Sequence, residues 1–466
     1  MTEHAEVIVV GMGPGGEDVA GRLAEAGLDV LGIEAKLLGG ECPYWGCVPS
    51  KMMIRAANLL AEGRRIPGMA GTSTVTPDWA PVARRIRDEA TDTWNDQVAV
   101  DRFTKKGGRF LRGSAQVVGP RSVEVDGVVY RATRALVIGT GTEPAIPPID
   151  GLAGTPYWTN REAIETETLP ESLAILGGGA VGLELAQVFA RFGTRVTVIE
   201  ALDRLLPMEE PEASALAAES LGRDGVTFHV GTAARGVSYD IDAGFTVTLD
   251  GRATESPGQA PGAAGEQVKA QRLVVATGRR TNLRELGAPG FGVPDGARFL
   301  PIDDHCRVTD GVWALGDVTG KGAFTHVSMY HAAIVVRDIL GEPGPPADYR
   351  ALPRVTFTDP EMGAVGLTEA QAREQGLPVQ VGITQVPSSA RGWIHKAGNE
   401  GFIKLVADSA RGVLVGATSA GPVGGEVLSA LAVAVHGEVP VERLRHMIYA
   451  YPTFHRGIED ALRTLG

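Results

Sequence analysis

The sequence predicts an α/β fold made of three domains, and three observations support this prediction. The chain has 466 residues, which exceeds the roughly 250–300 residues that one hydrophobic core serves, and about 150 residues per domain suggests three domains. A pattern of strand, glycine-rich turn, helix and second strand occurs twice, as in Rossmann-like dinucleotide-binding domains. From about Pro345 the pattern changes to strands and helices without another glycine-rich turn, which is typical of an α+β domain.

The composition limits the classes of partner. Hydrophobic residues make up 44% of the chain and charged residues 21%, which is typical of a globular protein with a sizeable core. The formal net charge is −12, so most of the surface should repel nucleic-acid phosphates and anionic lipids. We therefore expect a small-molecule substrate and no nucleic-acid partner.

The N-terminal segment gives no sign of export. Its first six residues contain no lysine or arginine, and the apolar run at residues 7–10 is too short for the core of a signal peptide. No later run approaches the ~20 apolar residues of a membrane span. We expect a cytoplasmic protein without a membrane span.

The first glycine-rich turn follows the apolar run at residues 7–10 and carries Gly11, Gly13 and Gly16. In a βαβ unit the first glycine permits the tight turn, the second lets the backbone approach a pyrophosphate, and the third lets helix and strand pack closely. The following helix offers free N–H groups to the phosphates. The second strand ends at Glu34, where a carboxylate would accept hydrogen bonds from a ribose.

The second glycine-rich turn follows the apolar run at residues 173–176 and carries Gly177, Gly179 and Gly182, and its second strand ends at Glu200. One such turn is a weak signal, but two with full context predict two bound dinucleotides. A 2′-phosphate at the second site would face the carboxylate of Glu200, which favours NADH over NADPH. Arg204 lies close enough in sequence to weaken that preference.

Two crossings between domains are expected. Residues 142–148 include a Pro-Pro pair that cannot continue a central strand or helix, and a return crossing follows Gly278. The predicted domains are 1–148 together with 279–343, then 149–278, and finally 344–466. Residues 256–265 should form a flexible surface loop without chemistry.

Cys42 and Cys47 are two of only three cysteines, too few for a disulfide framework, so the close pair indicates redox or metal chemistry. In a regular helix a separation of five residues gives a rise of about 7.5 Å, too long for a disulfide, and Pro43 and Gly46 should supply the distortion. A zinc site would need two further ligands, and no second close Cys/His pair exists. Redox chemistry is therefore favoured, no metal is expected, and Cys306 is interpreted as a structural thiol.

Six motifs occur in an order that resembles a known family. They are the first glycine turn, Gly-Gly-x-Cys-x4-Cys-x-Pro-Ser-Lys at 39–51, Gly-Thr-Gly at 139–141, the second glycine turn, Ala-Thr-Gly-Arg at 276–279 and Ala-Leu-Gly-Asp at 314–317. The chain resembles the FAD-dependent pyridine nucleotide-disulfide oxidoreductases, which include dihydrolipoamide dehydrogenase, glutathione reductase and mercuric reductase. The resemblance covers nearly the whole chain. It implies that FAD binds in the first domain and the nicotinamide nucleotide in the second, and that a C-terminal dimerisation domain forms a homodimer with an active site shared between subunits.

The resemblance also implies roles for single residues. Cys47 would be the thiol nearest the flavin, and Cys42 the interchange thiol that meets the substrate. Lys51 and Glu184 resemble the ion pair beside the reactive face of the flavin, and Asp317 resembles the carboxylate that holds its ribityl chain.

Further cofactor-binding residues implied in this way are Gly40, Lys51, Ala115, Thr140, Gly141, His326 and Gly278. His326 either contacts the flavin or only begins a helix. A helix N-terminus with a lysine one turn onward would favour the thiolate of Cys47.

The C-terminal segment departs from the family. Members that exchange thiols carry His-Pro-Thr-x-x-Glu, whereas here Tyr451 replaces the histidine and Arg456 replaces the glutamate. A phenol with a pKa of about 10 is a poor proton shuttle compared with an imidazole whose pKa is about 6.5. His455 and Glu459, spaced i,i+4 on one helix face, have two interpretations: a displaced dyad, or a surface pair without function.

Three acceptors are considered. The leading hypothesis is a specialised disulfide or thiol-linked acceptor, and the alternative is a quinone-type acceptor that needs no acid/base dyad. A metal reductase similar to mercuric reductase ranks third, because this chain ends at 463–466 without the C-terminal cysteine pair of that family.

Tyr44 and Trp45 would shape the approach to the disulfide for an apolar or planar molecule. Glu41 would discourage a thiolate at Cys42. A protein that uses its flavin only structurally is disfavoured by the intact cysteine pair.

Overall fold

The structure is a computed structural model that describes residues 2–251 and 265–465. Apart from Gly265, the surface loop predicted at 256–265 lies outside the described residues. The chain forms two compact units, of which the first contains Met1–Pro49, Arg84–Ala145 and Arg279–Asp348. The second contains Ser50–Ala83, Ile146–Gly278 and Tyr349–Gly466. The division into three domains stays a prediction.

The strands are numbered in chain order. They are β1 (Thr2–Val10), β2 (Val30–Glu34), β3 (Arg109–Arg112), β4 (Gln116–Gly119), β5 (Ser122–Val125), β6 (Val128–Ile138), β7 (Glu143–Pro144), β8 (Ser172–Leu176), β9 (Arg195–Glu200), β10 (Thr227–Val230) and β11 (Ala234–Asp240). They continue with β12 (Gly244–Leu249), β13 (Gln267–Ala270), β14 (Arg272–Val275), β15 (Arg279–Arg280), β16 (Arg307–Thr309), β17 (Val312–Ala314), β18 (Pro353–Thr356), β19 (Glu361–Gly366), β20 (Val379–Gln385), β21 (Phe402–Asp408) and β22 (Val413–Gly421).

The α-helices are numbered in the same way. They are α1 (Pro14–Glu25), α2 (Glu41–Trp45), α3 (Cys47–Arg65), α4 (Ala80–Arg84), α5 (Gln97–Lys105), α6 (Asn160–Glu165), α7 (Ala180–Arg191) and α8 (Pro211–Arg223). They continue with α9 (Leu283–Leu286), α10 (Thr325–Leu340), α11 (Glu369–Glu374), α12 (Ala390–His395), α13 (Gly424–His436), α14 (Val441–Arg445) and α15 (Gly457–Arg463). Residues Arg85–Ala90 form a π-helical turn, and Ala288–Phe291, Gly316–Thr319 and Val386–Ser388 form 3₁₀ turns.

The first unit is built on an eight-stranded sheet with the central order β16-β17-β6-β1-β2-β3. β1 pairs in parallel with β2 and with β6, and Val10 lies opposite both Ile33 and Ile138. Val7 and Val9 of β1 pack into one core and Ile8 and Val10 into another, because successive side chains of a strand point to opposite faces. A strand buried on both faces reads as a continuous apolar run. The first predicted βαβ unit is therefore confirmed as β1-α1-β2.

The second unit repeats this pattern. Its parallel sheet has the order β10-β9-β8-β14, and β8-α7-β9 forms the second predicted βαβ unit. A three-stranded antiparallel sheet, β11-β12-β13, lies in the chain between β10 and β14. Phe245, Val247 and Leu249 of β12 share a core with Leu176 and Val275.

The C-terminal part of the second unit is the predicted α+β region. Five antiparallel strands have the order β18-β19-β22-β21-β20, and Leu428 and Leu431 of α13 pack against Leu405 and Leu414 of the sheet. Every residue of β21 is buried, including the charged Lys404. Lys404 is 4% exposed there, and its ammonium group is paired with three carboxylates, those of Glu210, Glu212 and Glu369.

In the described part of the chain, no helix combines the length and the apolar composition that crossing a membrane requires.

Candidate functional site

The two cysteines lie on either side of a break between two helices. Cys42 is in the five-residue helix α2, and Cys47 is the first residue of α3. Gly46 separates the helices with φ −131° and ψ −118°, and a Cβ on Gly46 would lie 3.1 Å from the carbonyl oxygen of Glu41. The predicted distortion at Gly46 is confirmed. Pro43 lies in the first turn of α2, where proline is tolerated, so it does not cause the break.

Both cysteines are free thiols here, with Cys42 half-buried and Cys47 exposed. A hydrogen bond to the side chain of Cys47 and, second, burial raise the pKa of Cys42 far above its usual range. Glu41 was expected to have this effect, but its carboxylate lies 3.8 Å from the guanidinium of Arg279, and the neighbouring thiol is the main cause. In the reduced pair, one proton is therefore held at Cys42.

Thr325 supplies a polar contact to the pair that the sequence did not predict. Its Oγ1 lies 3.5 Å from the Sγ of Cys47, within the distance of a hydrogen bond to sulfur, and it is the first residue of α10. The Thr325 hydroxyl also lowers the pKa of Cys42 against the two larger opposing causes. A hydroxyl that donates to sulfur favours the thiolate over the thiol.

Replacing Thr325 with valine should therefore slow the alkylation of the cysteine pair by iodoacetamide at pH 7 by about three- to tenfold, the range of one net hydrogen bond. Valine keeps the shape of the side chain but removes the donor, so the thiol pKa rises and the thiolate fraction falls. Thr325→Ser keeps the hydroxyl and should restore the rate across a pH series. Equal rates for the valine variant and the unmodified protein at every pH would show that the hydroxyl does not act on the thiols.

Lys51 and Glu184 form an ion pair within the second unit, as the resemblance implies. The Nζ of Lys51 lies 2.8 Å from Oε2 of Glu184. The backbone N–H of Phe357 donates to Oε1 of Glu184 at 2.8 Å, and the Nζ of Lys51 lies 4.6 Å from the centroid of the Phe357 ring. Both charges thus have fixed partners. The position of this pair beside a flavin stays a prediction.

The first glycine turn has the geometry of a phosphate-binding loop. Gly11 has φ +88° and a Cβ on Gly16 would overlap the carbonyl oxygen of Gly11, whereas a Cβ on Gly13 would meet nothing within 4 Å. The turn is therefore closed by packing at Gly11 and Gly16 and open at Gly13, where the backbone can approach a ligand. Glu34 accepts hydrogen bonds from the N–H groups of Met12 and Lys36, both at 2.8 Å.

The second glycine turn has the same geometry. Gly177 has φ +108°, a Cβ on Gly182 would overlap the carbonyl oxygen of Gly177, and a Cβ on Gly179 would meet nothing within 4 Å. Oε2 of Glu200 accepts the N–H of Gly178 at 2.6 Å, and its Oε1 accepts the N–H of Leu202 at 2.8 Å. Each predicted ribose-binding carboxylate therefore also holds its own turn.

Arg204 has its guanidinium engaged within its own loop. It donates to the carbonyl oxygens of Leu206 at 3.3 Å and Pro207 at 2.7 Å. To bind a 2′-phosphate, the guanidinium would have to give up these bonds, so Arg204 weakens the preference for NADH less than its position in the sequence suggested.

Asp317 lies in the 3₁₀ turn Gly316–Thr319. The hydroxyl of Thr142 donates to its Oδ2 at 2.9 Å, and Arg279 donates to the same hydroxyl at 2.7 Å. Burial raises the pKa of Asp317. A half-buried carboxylate held by a relay of donors is pre-organised to accept hydrogen bonds from a polyol such as a ribityl chain.

His331 is a buried residue of α10 that contacts this turn and that the sequence did not predict. Its Nδ1 accepts the backbone N–H of Gly316 at 3.1 Å. Burial lowers the pKa of His331 to about 4, so the ring is neutral at pH 7 and Nδ1 can serve as an acceptor. His331 therefore helps to hold the turn that carries Asp317.

The other predicted cofactor residues of the first unit have local geometries that fit a ligand. The hydroxyl of Thr140 is buried and has no hydrogen-bond partner among the described residues, as expected of a group that a ligand would satisfy. Gly141 has φ +64°, and a Cβ on Gly40 would lie 2.8 Å from the Cα of Gly13. Ala115 packs against a hydrophobic core. Thr140, Gly141, Gly40 and the first glycine turn fit FAD, whereas the packing of Ala115 gives no sign of a ligand and its role stays a prediction.

Two further predicted cofactor residues occupy turn and helix-start positions. Gly278 has φ +119° and directly precedes β15. His326 is the second residue of α10 and is exposed, and its ring stacks on Phe324 at 5.1 Å. A position at the start of α10 fits both interpretations of His326, so its contact with the flavin stays a prediction.

The predicted displaced dyad does not form. Helix α15 begins at Gly457, so His455 lies in the turn before it and does not share a helix face with Glu459. The carboxylate of Glu459 forms ion pairs with Arg456 at 2.9 Å and Arg463 at 2.5 Å. Tyr451 is 70% exposed, and the guanidinium of Arg456 lies 5.6 Å from its ring centroid.

The two aromatic residues between the cysteines differ in exposure. Tyr44 is buried, with 6% of its surface exposed, and its hydroxyl donates to the carbonyl of Leu38 at 3.2 Å. Trp45 is half-buried. The prediction that both residues shape the approach to the disulfide is therefore wrong for Tyr44, whose role is to hold the loop.

Two sequence models cover most of the chain. A model described as pyridine nucleotide-disulphide oxidoreductase matches residues 5–332. A second model, described as the dimerisation domain of the pyridine nucleotide-disulphide oxidoreductases, matches residues 352–462.

Similar proteins match over their whole lengths. A dihydrolipoyl dehydrogenase of Thermus scotoductus is 33% identical over 99% of this chain and 97% of its own length. A mercuric reductase of Streptomyces lividans is 33% identical over 98% of this chain and 96% of its own. Among solved structures, the HOCl-induced flavoprotein disulfide reductase RclA from Escherichia coli is 26% identical, with a TM-score of 0.83 over 98% of this chain and 99% of that one. Its Cu(II) complex matches with a TM-score of 0.83 at 25% identity over 99% of each chain.

Proposed function

Because the chain belongs to the family of FAD-dependent pyridine nucleotide-disulphide oxidoreductases, we propose that it carries electrons from NADH to a disulfide or thiol-linked acceptor through Cys42 and Cys47. The observation that carries the proposal is the placement of the two thiols on either side of the Gly46 break, where Cys47 is the main cause of the raised pKa of Cys42. When bound, FAD would supply the two-electron redox chemistry that links the nicotinamide to the cysteine pair.

The cysteine pair would hold these electrons as one thiol and one thiolate. A Cys42–Cys47 disulfide that takes up two electrons and one proton gives a thiol at Cys42, whose pKa is raised, and a thiolate at Cys47. Thr325, 3.5 Å from the Sγ of Cys47, would stabilise that thiolate.

The acceptor step would be thiol–disulfide exchange. Deprotonated Cys42 would attack one sulfur of the acceptor disulfide and release the first thiolate, which takes up the proton that Cys42 gave up. Cys47 would then attack the Sγ of Cys42, re-form the internal disulfide and release the second thiolate, which takes a proton from water. His455 lies in a turn, and the carboxylate of Glu459 is engaged in ion pairs with two arginines. Both observations favour proton transfer through solvent over a histidine–glutamate dyad.

The preference for NADH is supported by the second glycine turn. The carboxylate of Glu200 lies where the end of β9 meets the turn, and a 2′-phosphate near it would meet like charge. The guanidinium of Arg204 is bound to backbone carbonyls.

A thiophilic metal ion is the second candidate acceptor. A protein named mercuric reductase is 33% identical to this chain, and a structural neighbour is described as a Cu(II) complex. Two thiolates bind soft metal ions well, and electron transfer to a bound ion would need no histidine at position 451.

The dimerisation-domain match at residues 352–462 supports a homodimer, and we propose a cytoplasmic location.

Anaerobic titration with NADH tests the electron path. We expect a long-wavelength absorption band from thiolate-to-flavin charge transfer to reach its maximum after two electrons, and we expect NADPH to produce it at least about tenfold more slowly, the effect of ~1.4 kcal/mol. Direct bleaching of the flavin without this band would contradict the cysteine path and favour a quinone-type acceptor. A panel of small disulfides, quinones and Hg(II) or Cu(II) salts would then distinguish the acceptors.

A further inference from the structure

A strained segment of the first unit contacts α2, the helix that carries Cys42. Asp92, Thr93 and Trp94 have φ values of 47°, 58° and 54°, so three successive residues with side chains occupy the left-handed region. This region is unfavourable for L-residues other than glycine and, less strongly, asparagine and aspartate. Strain of this kind persists only where surrounding contacts determine the conformation, and it is concentrated at functional positions.

Hydrogen bonds to the preceding π-helical turn hold the segment in place. The N–H of Thr93 donates to the carbonyl of Arg87 at 2.6 Å, and the hydroxyl of Thr91 donates to the same carbonyl at 3.1 Å. The Thr91 hydroxyl also accepts the N–H of Trp94 at 3.3 Å. Thr91 is 1% exposed, so the hydrogen bonds that fix this conformation are shielded from solvent.

In this conformation the indole of Trp94 contacts α2 at a residue between the two cysteines. Its Nε1–H donates to the carbonyl oxygen of Tyr44 at 3.3 Å, and Tyr44 is the next-to-last residue of α2. The last carbonyls of a helix have no partner within it. Trp94 therefore supplies a hydrogen bond that the five-residue α2 cannot make by itself.

The segment also holds the chain that leads into α2. Oδ2 of Asp96 accepts the N–H of Leu38 at 2.6 Å and is paired with Arg112 at 2.5 Å. The hydroxyl of Tyr44 in turn donates to the carbonyl of Leu38. Residues 91–96, which we call the clamp segment, thus bind the chain both before Cys42 and between Cys42 and Cys47.

We propose that Trp94 is a positioning residue for the cysteine pair, holding α2 so that the thiol of Cys42 stays within reach of Cys47 when the disulfide opens. This inference rests on the proposed redox role of the pair. Whether two thiols close to a disulfide depends on their effective concentration, which falls when the backbone between them is less restrained.

Replacing Trp94 with phenylalanine tests the proposal because it removes the N–H donor and keeps an aromatic ring. We expect the equilibrium constant for forming the Cys42–Cys47 disulfide to fall by about three- to tenfold, the range of one net hydrogen bond. At 29.6 mV per tenfold, the midpoint potential would rise by about 14–30 mV. The holoenzyme would be equilibrated in dithiothreitol redox buffers, quenched by alkylation and analysed by mass spectrometry.

Two other variants make the result specific. Trp393→Phe removes an indole that is 74% exposed and should leave the potential unchanged. Thr91→Val removes the hydroxyl that accepts the N–H of Trp94 and should move the potential in the same direction as Trp94→Phe. FAD content would be measured for each variant.

The outcomes separate this inference from the proposed function. If the unmodified protein formed no Cys42–Cys47 disulfide in any buffer, the proposed function would fail. If the disulfide formed and Trp94→Phe had the same potential as the unmodified protein, the positioning role would be wrong. Loss of FAD or of folding in both Trp94→Phe and Thr91→Val would assign the clamp segment to domain stability alone and would also overturn the inference.

Discussion

Replacing Cys42 with serine should reduce turnover of a disulfide acceptor by at least on the order of 10³-fold, while NADH still reduces the flavin at nearly the unmodified rate. A serine hydroxyl cannot form a mixed disulfide with the acceptor or a disulfide with Cys47, so both exchange steps are lost. Flavin reduction precedes them and does not involve Cys42 in the proposed sequence. Stopped-flow absorbance measures flavin reduction, and steady-state assays with small disulfides measure turnover.

Cys306→Ala is the matched control for this experiment. Cys306 is fully buried, and burial raises its pKa to about 12, so its thiol stays protonated and unreactive at pH 7. This variant should keep the turnover of the unmodified protein. Full activity of Cys42→Ser with every acceptor that the unmodified protein uses would mean that electrons leave without passing through the pair, as in the quinone-type alternative.

Replacing Gly179 with alanine should raise the KM for NADH by about 10- to 100-fold, or ~1.4–2.8 kcal/mol, and leave folding and FAD content unchanged. Gly179 has φ −80° and ψ −177°, which alanine adopts without strain, and its Cβ would meet nothing within 4 Å. The added methyl group would occupy the space through which the backbone should approach the pyrophosphate of NADH. Steady-state kinetics and thermal unfolding measure the two effects.

Two neighbouring glycine variants serve as comparisons. Gly13→Ala has the same open surroundings in the first turn, and it should weaken FAD binding instead. In Gly182→Ala the new Cβ would overlap the carbonyl oxygen of Gly177, so it should destabilise the protein whether or not NADH is present. An unchanged KM in Gly179→Ala would remove the second turn from the NADH site.

The fold could be predicted from the sequence because the patterns that indicate it are local in the chain. The apolar run at residues 7–10, the glycine turn and Glu34 lie within one βαβ unit, and the structure places them as β1, the turn and the end of β2. The burial of Lys404 was not accessible. It depends on Glu210, Glu212 and Glu369, which are distant in sequence, and an isolated lysine in a strand is usually exposed.

The residues of the site divide in the same way. The spacing of the cysteines predicted Cys42 and Cys47, and the family resemblance implied Lys51 and Glu184, but neither gave any sign of Thr325, His331 or Trp94. Each of these three acts through one hydrogen bond to a residue at least 15 positions away, and such pairings are set by the tertiary fold. The proposed helix partnership of His455 with Glu459 failed for a different reason, because helix boundaries are the least reliable feature of a sequence-based prediction.

The two bonds of Glu200 limit how the choice of coenzyme could change during evolution or engineering. The side chain that would repel a 2′-phosphate also accepts hydrogen bonds from the N–H groups of Gly178 and Leu202. In the proposed NADH site, coenzyme choice and the integrity of the loop would therefore depend on the same carboxylate. Exchanging it for arginine would add a cation for the phosphate and at the same time leave two backbone donors without their acceptor. A variant that accepts NADPH would more readily arise by keeping Glu200 and placing a basic residue at Ala201 or Asp203, where no such bond would be lost on the Glu200 side chain.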